Sequence, residues 1–212
     1  MTEGASSESA QRPSGAGRSQ LLALGLAALL LTLAPTLVRW LLARPAPQVY
    51  GHLPAFHLVN EQGQPVTQSS LLGHVTVVDF IFTRCPSSCP RLTARMAELQ
   101  GRLARSKSGA RLVSISVDPE NDTPAVLAAY AARAQADPGR WSFLTGTAQD
   151  VESVVVSGFK VAASKQARGA GDYDVIHGDW FVLVDGRGDI RGYFTVDEGK
   201  DLEAVVAAIG AV

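Results

Sequence analysis

Cysteine is scarce in this chain, with two residues in 212, at positions 85 and 89. A small scaffold stapled by several disulfides is therefore excluded, and the pair can supply one bridge or one reactive dithiol. Excess positive charge is missing too: 19 Lys plus Arg stand against 20 Asp plus Glu, and no basic stripe interleaves with aromatics. That balance argues against nucleic acid as a partner. Long apolar runs are absent save one, residues 21–38, LLALGLAALLLTLAPTLV, which carry no charge over 18 positions.

As a helix that run is about 27 Å long, close to the ~30 Å hydrocarbon thickness of a bilayer. Trp40, Leu41 and Leu42 extend it into the interface. Residues 21–42 are therefore expected to be a transmembrane anchor. A cleaved signal peptide competes, but the run exceeds a usual signal core and no clean small-x-small site follows it. Arg12 and Arg18 precede the run and Arg39 and Arg44 follow it, so charge alone does not orient it. Residues 1–20, rich in Ser, Gly and Ala, have nothing large to bury and read as a flexible tail. Residues 43–50, with Pro45 and Pro47, form a short stiff linker. Residues 51–212 suffice for one domain with a substantial core.

Within that domain, residues 55–59 alternate, and the Gly-containing NEQGQPV turn returns the chain through Val66 and Thr67. Residues 69–72 form a single helical turn stopped by Gly73. Residues 75–82, VTVVDFIF, predict a central strand covered on both faces, with Asp79 as its polar exception. Leu92, Met96, Leu99 and Leu103 recur at helical spacing and predict a helix over 90–105, with Pro90 in its first turn. A strand over 111–117 follows, then a helix capped by Thr123 with Pro124 at its first position. Residues 141–144 read as a strand, Thr147 as the cap of a short helix, and 155–162 as an additional strand. Residues 163–174 read as a mobile loop. Strands over 180–184 and 190–194 are joined by the tight turn DGRGD, and a last helix opens at Asp197 or Asp201.

This order, a βαβ unit joined to a ββα unit, predicts a thioredoxin-like α/β domain: a mixed sheet flanked by helices. It places the TRCPSSCP loop at the C-terminal edge of a central strand, where such sheets bind ligands. Cys85 and Cys89 are four apart; in one first turn they would share a helix face. Two thiols so placed can oxidise together or grip one soft cation. The positive helix end is expected to lower a thiol pKa, with Arg84 adding to the effect. A disulfide closing so short a loop would stabilise little, which favours chemistry over stapling.

The runs FIFTRCPSSCP, VSISVDPENDTP, WSFLTGT and DYDVIHGDWFVLVDGRG, in that order, resemble the Sco/SenC family of copper chaperones and thiol-active proteins of cytochrome c oxidase assembly. The resemblance covers about residues 50–210. It implies a thioredoxin-like domain on one N-terminal membrane helix, facing the periplasm or the mitochondrial intermembrane space, here the periplasm, with copper held by Cys85, Cys89 and His177. It also implies delivery of copper to cytochrome c oxidase subunit II, or reduction of that subunit's cysteines. Two thiolates and an imidazole suit Cu(I) and, with an added ligand, Cu(II); Zn fits on ligand type alone. His52, His57 and His74 lack such context and are expected to be structural or exposed.

Many family members carry an acid before the histidine and Ser or Thr after it, where this chain has Ile176 and Gly178. A carboxylate that would orient the ring is thereby lost, and Asp118, Asp174 or Asp179 are candidates to compensate. Asp122 suits capping and turn formation equally well. The expected function is a membrane-anchored, monomeric copper chaperone whose acceptor is subunit II or another copper-accepting or dithiol protein. The alternatives are a thiol:disulfide oxidoreductase acting through Cys85 and Cys89, or a copper or redox sensor.

Overall fold

The structure is a computed structural model that describes residues 48–86, 88–161, 163–169, 172–177, 180–195 and 201–212; for 163–169, 172–177 and Asp201 the description is of the backbone. The chain divides into residues 1–46 and a compact unit, Pro47–Val212. The expected tail, the anchor over 21–42 and most of the linker lie outside the described residues. Among the described residues, no helix is long and apolar enough to cross a membrane.

The valine- and aromatic-rich run around Asp79 forms β4 (Thr76–Ile81), and all six of its residues are buried, as two-sided cover requires. Parallel to it lies β5 (Arg111–Ser116), then β6 (Trp141–Thr145). On its other side β9 (Trp180–Val184) runs antiparallel, followed by β10 (Asp189–Thr195). With β1 (Gly51–His52), β2 (His57–Asn60) and β3 (Pro65–Thr67), the order is β1-β10-β9-β4-β5-β6-β2-β3. The helices are α1 (Gln68–Leu71), α2 (Ser88–Arg105), α3 (Pro124–Arg133), α4 (Ala148–Glu152) and α5 (Asp201–Ile209). This is the mixed sheet flanked by helices that the alternating patterns predict.

Buried residues of α2 fall at 89, 92, 93, 96, 99 and 103, one stripe of a 3.6-residue helix facing the sheet. Each large apolar side chain on that stripe contributes roughly 1.5–3 kcal/mol by burial. Asp79, Ser114 and Phe143 stand in one row across β4, β5 and β6. Above that row Tyr130 of α3 meets Phe143 edge-on at 6.0 Å, and its hydroxyl lies 2.8 Å from that of Thr93 of α2. The opposite face of β4 carries Phe80, edge-on to Phe159 at 5.3 Å. Thr123 and Thr147 cap α3 and α4 as their sequence positions predict, each oxygen accepting an amide N–H three residues on.

Three expectations are corrected. The strand over 155–162 is instead a π-helical segment, Ser153–Gly158, continuing α4. Val154, Val155 and Phe159 bury themselves there, so packing overrides the strand preference of a valine run. The loop expected over 163–174 is largely an antiparallel pair, β7 (Ala163–Gly169) and β8 (Asp172–His177). Small and polar residues read as a loop, but a hairpin ladder is built from backbone groups that any residue supplies. Finally, α2 starts at Ser88, two residues before the expected start, while Pro90 sits in its first turn as expected, where a missing N–H is tolerated.

At the sheet end away from the cysteines, the DGRGD turn is held by Asp185. Its carboxylate accepts the amide N–H groups of Arg187 at 2.8 Å and Asp189 at 3.0 Å, and the buried Arg191 guanidinium at 2.7 Å. Gly188 supplies the positive φ of +83° that the turn needs.

Candidate functional site

Past Ile81 the chain turns sharply: the Cys85 amide N–H donates to the Phe82 carbonyl at 3.2 Å. Cys85 therefore precedes α2, while Cys89 is its second residue. The Cys89 amide N–H donates to the Cys85 Sγ at 3.4 Å, and the Ser88 hydroxyl lies 3.8 Å from the same sulfur. A helix-terminal amide otherwise lacking an intrahelical partner thus reaches Cys85. The two sulfurs belong to one site, although Cys85 does not share the helical turn.

Both cysteines are thiols, and they differ in environment. Cys85 keeps 8 % of its surface exposed and Cys89 none. Cys89 occupies the first core position of the α2 stripe, and burial pushes its thiol pKa well up; a backbone hydrogen bond at Phe82 opposes this only in part. The expectation that the helix end would lower the pKa is thus reversed at Cys89, because desolvation outweighs the terminal dipole. Asp79 lies fully buried on β4 with no partner at hydrogen-bond distance for either oxygen, and burial raises its pKa to about 7, tempered by Ser114 beside it.

The loop after β5 grips the residues just before Cys85. Asp122, wholly buried, accepts the Thr83 amide N–H at 3.0 Å, the Thr83 hydroxyl at 2.5 Å and the Ser116 hydroxyl at 2.6 Å. Asp118, also wholly buried, accepts the Arg84 guanidinium at 3.2 Å and the Asn121 amide at 3.0 Å. Arg84 therefore turns its charge toward Asp118. Asp118 does lie beside the cysteine loop, as the sequence suggests.

His177 is the last residue of β8, opposite Ala163 in the hairpin register, and its side chain lies outside the described residues. Three peptide steps later β9 opens at Trp180, so the two Cα atoms are within about 11 Å of each other. Because β9 runs antiparallel to β4, with Val182 opposite Val78, its opening lies at the end of the sheet where β4 hands over to the cysteine loop. Among the described residues no three His, Cys, Asp or Glu side chains converge as a metal cluster. Of the other histidines, His52 bonds Asp189 at the far end of the sheet, and His57 is exposed on β2.

The sequence profile of the SCO1/SenC family matches residues 46–212, which include every feature of this site. The chain belongs to the SCO1/SenC family. Within that family it is 39 % identical to a SCO1 protein homologue of Bacillus subtilis over 155 residues, covering 73 % of this chain and 79 % of the relative. Copper-bound ScoI from Bradyrhizobium japonicum superposes with a TM-score of 0.67 at 28 % identity, over 76 % of this chain and all of that one. BsSco, a member of the Sco family of cytochrome c oxidase assembly proteins in which a disulfide switch has been identified, gives 0.68 at 32 % identity, over 79 % and 95 %.

Sequence reasoning missed the Thr83, Ser116 and Asp122 network. The signal was there in RLVSISV: serines at 114 and 116 interrupt an apolar strand on one face, and buried hydroxyls require partners. Ser114 takes the Trp141 indole N–H at 2.9 Å, and Ser116 donates to Asp122.

Proposed function

We propose that this SCO1/SenC protein is a membrane-anchored copper chaperone, carrying copper as cargo on Cys85, Cys89 and His177 and passing it to subunit II of cytochrome c oxidase or preparing that subunit's thiols. The carrying observation is the 3.4 Å contact from the Cys89 amide to the Cys85 sulfur, which holds that sulfur at the mouth of α2 beside Cys89. Two soft donors side by side suit Cu(I), and an imidazole completes a trigonal set. The copper-bound relative and the oxidase-assembly relative support this cargo and this class of acceptor. The uncharged run over 21–38 supports an anchor, and the periplasmic side is taken from the family resemblance. Tethering raises the effective concentration of carrier near a membrane-bound acceptor.

Anaerobic titration of the full chain in detergent with Cu(I), followed by X-ray absorption, tests this. One copper with two sulfurs and one nitrogen, the nitrogen lost in His177→Ala, is the expected result. Failure to retain copper overturns the reading. The unequal exposure of the two thiols favours one second reading, a thiol:disulfide oxidoreductase. There the Cys85 thiolate attacks a client disulfide and releases one client thiolate; Cys89, deprotonated, then displaces the other, leaving the Cys85–Cys89 disulfide and a reduced client. In that case His177→Ala leaves turnover unchanged.

A further inference from the structure

The cysteine turn runs between the end of β4 and the start of α2, and Thr83 ties it to the loop after β5 by two hydrogen bonds to Asp122, one from its amide N–H and one from its hydroxyl. That carboxylate is itself held by Ser116, the last residue of β5, which stands opposite Ile81, the last residue of β4. The acceptor is therefore fixed to the sheet within two residues of where the turn departs. Burying a carboxylate costs more than filling the same space with apolar atoms. Here three donors at 2.5, 2.6 and 3.0 Å converge on it, the short, charge-assisted kind that fixes geometry as well as energy.

We propose that Asp122 is a positioning residue that sets where the Cys85 sulfur lies relative to Cys89, acting through Thr83. The inference rests on the reading of Cys85 as a sulfur donor. Thr83 carries both tethers and sits two residues before that sulfur, so loosening it frees the turn while α2 and Cys89 stay packed in the core. Asp118 grips the adjacent Arg84 side chain from the same loop, but 51 % of that arginine side chain is exposed, so its hold on the turn is the weaker.

The test uses the full chain in detergent. Thr83→Val removes the hydroxyl donor and keeps the amide; Thr83→Ser restores the hydroxyl. Two readings are taken: the equilibrium between the Cys85–Cys89 dithiol and disulfide in a thiol redox buffer without metal, and the rate of Cu(I) loss to a chelator. Thr83→Val is expected to shift the dithiol equilibrium and speed copper loss by about tenfold, while Thr83→Ser matches the parent protein. Ser116→Ala, which removes a different donor from the same carboxylate, shifts both readings in the same direction and stands in should Thr83→Val not fold. A folded variant that lowers only Tm, with the dithiol equilibrium unchanged, overturns the proposal. Loss of the copper reading in the parent protein itself leaves the metal-free measurement to decide the positioning role alone.

Discussion

The amide N–H of Cys89 points at the sulfur of Cys85 across 3.4 Å, while Cys89 itself takes the first buried position of α2. One helix end thereby creates two unlike thiols: one that keeps a sliver of exposure and receives a hydrogen bond, one with no exposure at all.

Unequal alkylation follows. In the metal-free chain at pH 7.5, iodoacetamide is expected to modify Cys85 at least about ten times faster than Cys89, because only an accessible thiolate reacts. Peptide mass spectrometry over a time course reads both sites. Equal rates would show that the first turn of α2 opens readily.

Asp79 predicts a pH dependence of stability. Its folded pKa, about 7, is above the ordinary 3.8, so between those values the folded chain holds a proton that the unfolded chain has released. Stability from this group is complete below about pH 4 and declines as pH rises to about 7. Asp79→Asn removes the decline: it should be more stable than the parent at pH 8, by on the order of 4 kcal/mol, and nearly equal at pH 4. Urea midpoints at the two pH values decide this; an equal difference at both refutes it.

Gly158, at the end of the π-helical segment, has no room for a side chain. An added Cβ would lie 2.9 Å from Cδ of Pro54, a ring that cannot rotate away. Gly158→Ala is expected to destabilise by about 1–3 kcal/mol. Gly109→Ala, which meets nothing within 4 Å, serves as the control and should change stability by less than about 0.5 kcal/mol. Chemical denaturation of both variants distinguishes local crowding from a general intolerance of alanine.

Asp118→Asn tests the acidic loop separately from Asp122. The amide cannot pair with Arg84 as a carboxylate does, and copper release is expected to quicken about tenfold if the loop steadies the metal site. Release at the parent rate would confine Asp118 to holding Arg84 and Asn121.

The central strands and long helices were legible from sequence because their signals are local and repeated, whereas β7 and β8 were not. The VTVVDFIF run could only be a covered strand, and Leu92, Met96, Leu99 and Leu103 fixed the inward face of α2. Cys89 belonged to the same series, three positions before Leu92, and that spacing already implied its burial. The π-helical segment was not legible, since SVVVSG favours a strand and only the docking of Phe159 against Phe80 decides otherwise. The grip of Asp122 on Thr83 joins residues 39 apart, and no short-range pattern reports such a contact.

The shared position of the two sulfurs carries one more consequence for the proposed carrier. A disulfide between Cys85 and Cys89 would consume the same lone pairs that a bound ion needs, so oxidation and loading exclude each other at a single loop of chain. The reducing capacity of the compartment, rather than copper supply alone, would then set what fraction of molecules is able to pick up cargo.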